Sequence, residues 1–103
     1  MKLSDEAKTA LTAHGEALVA KLGGRALSFE IAADHTIVLH VKPDGIQPVL
    51  LTLRDDPSCD FKQLIDLTAV DYPARPERFE VVYNLLSLSK NARLRVKTAL
   101  AEG

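Results

Sequence analysis

The sequence predicts an α+β fold, a two-layer sandwich whose mostly antiparallel sheet carries two helices on one face, in the order α-β-β-α-β-β-β. Three observations lead there. Residues 4–22 repeat their apolar positions every three or four residues, as one face of a helix does. Stretches near 27–31, 36–41, 63–72, 78–88 and 92–100 alternate apolar and polar side chains and are joined by short turns, as consecutive antiparallel strands are. Between the second and third of these lies a leucine-rich segment that opens with helix-start residues.

The first helix starts at Ser4, a good N-cap, with Asp5 and Glu6 in the first turn where the helix dipole favours negative charge. Leu3, Ala7, Leu11, His14, Leu18 and Leu22 form its apolar face, which makes His14 a core histidine rather than a ligand. Gly23 and Gly24 end it, because glycine accepts the left-handed C-cap conformation. In the first strand Leu27, Phe29 and Ile31 alternate with Ser28 and Glu30. Ala33-Asp34-His35 makes a turn, and TIVLHV follows with Ile37, Leu39 and Val41 inward and His40 outward.

PVLLTL alone would suit a strand. The residues ahead of it favour a helix over 44–55: Asp44 and Gln47 have capping-box spacing, and Pro48 suits a first turn. In the strand at 63–72, Ile65, Leu67, Ala69 and Asp71 share one face, while Leu64, Asp66, Thr68, Val70 and Tyr72 share the other. Asp66 and Asp71 therefore diverge on a regular strand and could share a proton or a metal only across a bulge, which disfavours paired-carboxylate catalysis, a chemistry that needs both groups in one cleft. Asp66 is expected on a polar or partner-facing side, and Asp71 is expected to pair with Arg75, Arg78 or free backbone N–H groups. The strand at 78–88 has Phe79, Val81, Tyr83 and Leu85 on one face and Val82, Leu86 and Leu88 on the other, so it should be central or covered on both sides. In the last strand Ala92, Leu94, Val96, Thr98 and Leu100 face inward, and Arg93, Arg95 and Lys97 face out. The final stretch, ALAEG, reads as frayed.

The 103 residues fit one domain, 1–103, and 47 % hydrophobic with 26 % charged residues is an ordinary globular balance. A formal charge of −1 disfavours nucleic acid as a partner. No apolar run reaches the roughly 20 residues that span a bilayer, and MKLSDEAK lacks a signal-peptide core, so a membrane would be met only through partners. The single Cys59 has no CxxC partner, and the scattered histidines offer no metal set. No GxSxG serine or phosphate-cradling glycine loop is present. The one organised charge feature is the row Lys90, Arg93, Arg95 and Lys97, either solvated residues guarding the sheet or a docking surface for an acidic protein face. The residues alone give an interaction module without an evident active site.

The stretch 61–97, with its DLTAVDYP, RFEVVYNLLSL and N-x-R-L-R-V-K segments behind LRDDP…F-x-x-L, closely resembles the hydrophilic 30-kDa-type subunit family of respiratory complex I, the NADH:quinone oxidoreductase. The likeness runs from Leu50 to Lys97, and residues 1–45 fit loosely as a variable N-terminal part. It implies a structural subunit of the peripheral arm, on the cytoplasmic face of the bacterial membrane, packed against the quinone-site and iron–sulfur subunits. Such a subunit binds no cofactor and supplies no catalytic residue, while the complex uses NADH, FMN, iron–sulfur clusters and quinone. Asp66, Asp71, Tyr72, Arg75 and Arg78 match the family motif and carry over as interface-shaping positions, beside the basic row. The family's E-R-E signature lies further toward the C-terminus than these residues reach, so the chain is expected to be either the N-terminal domain of such a subunit or a shortened relative. The module also resembles parts of membrane-bound hydrogenase and formate hydrogenlyase assemblies. A free-standing small-molecule-binding domain is the third reading.

Overall fold

The computed structural model describes residues 4–100 and contains α1 (Asp5–Leu22), β1 (Ala26–Ile31), β2 (Ile37–Val41), α2 (Ile46–Asp55), β3 (Gln63–Asp71), β4 (Phe79–Ser87) and β5 (Ala92–Leu100). The element order is the predicted one. Leu3 and the last three residues of the frayed tail lie outside the described residues.

The strands form one five-stranded sheet in the order β1-β2-β5-β4-β3. The β1–β2 hairpin turns through His35, whose φ is 67°, with the Thr36 N–H donating to Asp34 Oδ1 at 3.2 Å. After β2 the chain crosses through α2 to the far edge, and the β3-β4-β5 meander walks back until β5 lies beside β2. That return makes β2–β5 the one parallel pair in a sheet whose other pairs are antiparallel.

One face of the sheet holds the core. Ile37, Leu39 and Val41 of β2, Leu94 and Val96 of β5 and Leu85 of β4 pack against Leu18 and Leu22 of α1 and Val49 and Leu53 of α2. Cys59 and Phe61, from the loop that follows α2, fill the same cluster. Both helices thus lie on one face, and removing this apolar area from water supplies most of the drive to fold.

Four local expectations are corrected. His14 is exposed, because α1 meets the sheet through Leu11, Gly15, Leu18 and Leu22, and Gly15 lets the Phe29 ring come so close that a Cβ there would lie 2.3 Å from it. Leu27 is exposed, because β1 bulges between Ala26 and Ser28, and Ala26 takes the buried place instead. A second bulge lies between Leu64 and Asp66, so Leu64 shares the helix-side face with Leu67, and Ile65 is the extra residue. The Asp44–Gln47 capping box does not form: Pro43–Gly45 makes a short 3-10 turn, Gly45 is the N-cap of α2, and no side chain caps it.

Candidate functional site

The residues singled out by sequence fall into two groups at opposite ends of β3. At its C-terminal end the β3–β4 turn is closed by charge. The Tyr72 N–H donates to the Arg78 carbonyl at 2.6 Å, extending the ladder by one pair. The Arg78 guanidinium donates from Nε to Asp71 Oδ1 at 2.7 Å and from Nη2 to Asp71 Oδ2 at 3.0 Å. This two-point grip holds the Asp71 carboxyl below its ordinary pKa. Arg75 stacks on the Tyr72 ring at 3.8 Å, and Arg78 also lies 5.3 Å from the Phe79 ring centre. Of the two arginines expected for Asp71, Arg78 makes the pair and Arg75 braces the tyrosine.

Asp66 stands on the opposite face, as alternation requires, because the β3 bulge precedes it and leaves the five steps to Asp71 regular. There Asp34, Asp66, Asn84, Arg93 and Arg95 line a polar cleft of about 200 Å³. Arg95 donates to Asn84 Oδ1 at 3.1 Å and to Asp34 Oδ2 at 3.0 Å, and this lowers the Asp34 pKa. Asp66 accepts only a 3.4 Å bond from its neighbour Thr68, and no ion pair reaches it among the described residues. The basic row splits. Arg95 and Lys97 are half-buried and paired within the chain, Lys97 with Glu80 at 3.7 Å, whereas Lys90 and Arg93 are exposed.

A third feature was not singled out in the sequence. Ile46, Leu50, Leu51, Phe61, Leu64 and Tyr83 line an apolar groove of about 420 Å³ between α2 and the β3–β4 ribbon, with Arg54 and Lys62 at its rim. Beyond it β3 is almost wholly exposed: Leu64 is 53 %, Ile65 48 % and Leu67 56 % accessible. The signal was present in the run LIDLTAV, where both faces of a strand are apolar. It was obscured because such a run also describes a strand buried inside a sheet.

No group of three His, Cys, Asp or Glu side chains converges on a metal-sized point among the described residues. His40 instead contacts Glu30 at 2.9 Å on the open face. No helix among them is long and apolar enough to cross a membrane. The arrangement suits contact with another macromolecule better than chemistry on a small one.

Residues 39–103 match the family described as respiratory-chain NADH dehydrogenase, 30 Kd subunit. The C subunit of the NADH-quinone oxidoreductase of Methylobacterium sp. (strain 4-46) is 47 % identical over 93 residues, covering 90 % of this chain and 43 % of that protein. Its counterpart in Rhodobacter capsulatus is 51 % identical over 79 residues, covering 77 % of this chain and 39 % of that protein. The chain thus spans about two fifths of the length of these relatives. In three dimensions it is similar to a chain of the membrane-bound sulfane sulfur reductase, an archaeal respiratory membrane complex, with a TM-score of 0.68 over 87 % of this chain and 52 % of that one. At 22 % identity that likeness speaks for the fold alone.

Proposed function

From the premise that the chain belongs to the 30-kDa subunit family of respiratory-chain NADH dehydrogenase, we propose that it is a cofactor-free packing domain in the peripheral arm of a proton-pumping NADH:quinone oxidoreductase. It holds neighbouring quinone-site and iron–sulfur subunits in register on the cytoplasmic face, while NADH, FMN, clusters and quinone are handled by others. It meets the membrane only through the complex. As the N-terminal domain of its subunit, it contributes surface rather than catalytic groups.

The observation that carries this reading is the uncovered apolar side of β3. Leu64 and Leu67 are exposed on the helix-side face, where Leu64 also lines the α2 groove, and Ile65 is exposed at the bulge beside the open-face cleft. A chain that works alone seldom leaves such a patch on a sheet edge, whereas a subunit buries it on assembly. The Asp71–Arg78 turn closes the C-terminal end of the same strand with a polar pair.

The test is affinity recovery from solubilised membranes of the source cell with the full-length subunit as bait, read by mass spectrometry. The expected result is co-recovery of quinone-site and iron–sulfur subunits. Recovery of hydrogenase subunits would move the domain to that class of assembly. A bait that recovers no subunit, from membranes whose complex is intact, would overturn the reading.

A further inference from the structure

We infer that the free edge of β3 takes an extended strand from a neighbouring subunit, one that sets apolar side chains beside Leu64 and Leu67 and a lysine or arginine beside Asp66. The inference rests on the proposed subunit role and names the kind of contact made at that surface.

The ladder geometry identifies the groups on offer. In an antiparallel pair, opposed residues alternate between exchanging two hydrogen bonds and exchanging none. Tyr72 is opposite Arg78 and donates to it, so this is a bonded pair. Counting back through the register, Val70↔Glu80, Thr68↔Val82 and Asp66↔Asn84 are bonded, while Asp71↔Phe79, Ala69↔Val81 and Leu67↔Tyr83 are not. The N–H and C=O groups of Leu67, Ala69 and Asp71 therefore point away from β4. β3 is the last strand of the sheet, so no strand among the described residues meets them. They form a row ready for strand addition, in which main-chain bonds give affinity and alternate side chains give selectivity.

The edge carries few of the usual safeguards. No proline or lysine lies between Gln63 and Asp71, and the bulge sits at the N-terminal end, leaving the run from Asp66 to Asp71 regular. The other sheet edge, β1, differs because α1 covers its inner side through Phe29.

Charge selects the occupant. The ionisable side chains of β3 are Asp66 and Asp71, and Arg78 already holds Asp71. Asp66 is exposed, with no ion pair among the described residues. A second copy of β3 added antiparallel about Leu67 would bring the two Asp66 carboxylates to neighbouring positions on one face, which is repulsive. A strand with a cation there is attractive, so in that register a different chain is favoured over self-pairing.

The test is hydrogen–deuterium exchange on the full-length subunit, alone and within the isolated intact complex, together with an Ala69→Pro variant. Proline at Ala69 removes an outward-pointing donor and leaves the β4 ladder whole, a position edge strands accept. Assembly is expected to slow exchange at Leu67, Ala69 and Asp71 by about tenfold or more. Ala69→Pro, with a melting curve like that of an Ala69→Val control, is expected to lose recovery in the complex while the control keeps it. A subunit that enters the complex with these amides unchanged, or with Ala69→Pro recovered normally, would overturn strand addition while leaving the subunit role intact. Protection already present in the isolated subunit, with or without dimerisation, would also overturn it. Failure of the unaltered subunit to enter any complex would instead count against the subunit role.

Discussion

Arg78 holds Asp71 with both prongs of its guanidinium, at 2.7 and 3.0 Å, across the mouth of a six-residue turn that carries two prolines. The pair joins the last residue of β3 to the residue before β4, so it fixes where the ribbon stops. Because both groups reach solvent, its effect on global stability is small, and its effect on the turn is local. Arg78→Lys keeps the charge but loses the planar fork. Hydrogen exchange at residues 72–78 is expected to rise in Arg78→Lys and further in Arg78→Ala, with little change in the midpoint of chemical unfolding. A large fall in that midpoint would show that the turn nucleates the ribbon rather than trimming it.

Acid sensitivity follows from a second pair. Lys21 at the end of α1 donates to Asp56 Oδ2 at 2.7 Å, and Ser58 donates to Oδ1 through N–H and hydroxyl. The Lys21 bond first, then the Ser58 bonds, lower the Asp56 pKa from 3.8 to about 2. A lowered carboxyl pKa gives stability that is complete above 3.8 and drains away as the pH falls toward about 2. Asp34, Asp60 and Asp71 are shifted in the same direction. The stability difference between the protein and its Asp56→Asn variant is therefore expected to be flat near neutral pH and to shrink below pH 3.8. Lys21 is raised by the same bond, so its share persists below pH 10.5 and is lost as the pH rises further. Urea titrations at stepped pH check both limbs, and a difference that grows on acidification would refute the assignment.

The contact between α1 and β1 gives a packing prediction. Gly15 is buried, and an alanine Cβ would lie 2.3 Å from two atoms of the Phe29 ring. Alanine gains about 1 kcal/mol of helix propensity over glycine. Overpacking typically costs roughly 1–3 kcal/mol, and here the offending group is an aromatic ring against the sheet. Gly15→Ala is expected to destabilise on balance, and Phe29→Leu in the same chain to recover part of the loss. Urea unfolding of the two single variants and the double variant tests this as a cycle.

The same contact indicates why some of the fold was legible in the sequence and some was not. β5 was readable from Ala92 to Thr98, because Leu94, Val96 and Thr98 are buried and the alternation is unbroken there, while Leu100, expected inward, is exposed at the strand's end. Ser4, Asp5 and Glu6 marked the start of α1 because capping is local chemistry. His14 and Leu27 were misplaced for non-local reasons: a glycine admits a ring from another element, and a bulge inserts one residue and flips the phase. The parallel β2–β5 pair was invisible to a reading that pairs strands in sequence order. At the candidate site, Asp71–Arg78 was found because opposite charges flank a turn. The β3 edge was missed because exposure depends on which strand ends the sheet, and alternation does not carry that information.

Thr98 offers a substitution that should improve the protein. It lies on the inner face of β5 opposite Val81, is buried, and its hydroxyl has no hydrogen-bond partner among the described residues. A buried unsatisfied polar group costs roughly 1–3 kcal/mol, and valine has nearly the same shape. Thr98→Val is expected to raise stability by about 1 kcal/mol, and Thr98→Ala to lower it by opening a cavity. A loss in the valine variant would mean that the hydroxyl is satisfied in solution.

Leu67 separates the needs of folding from those of assembly. Its side chain lies on the helix-side face of the edge strand, yet it is 56 % accessible, since neither helix reaches that far across the sheet. The cost of placing a lysine there is small in the isolated chain, within about 0.5 kcal/mol, because the ammonium stays in water and the stem replaces the lost contacts. In an assembled complex the same lysine would sit in an apolar interface without a partner, and desolvating an unpaired charge is expensive. Leu67→Lys is therefore expected to melt with the unaltered protein and to be more soluble, yet to be lost from the complex in affinity recovery. Asp66→Lys, on the opposite face, is expected to weaken recovery as well, because it sets like charges together where the proposed partner strand carries a cation. Arg93→Ala, out on the rim, is expected to leave recovery nearly intact. Equal recovery of Leu67→Lys and the unaltered subunit would show that this edge stays in water after assembly, and the partner face would then have to be sought on the open side, around Asp34, Asn84 and Arg95.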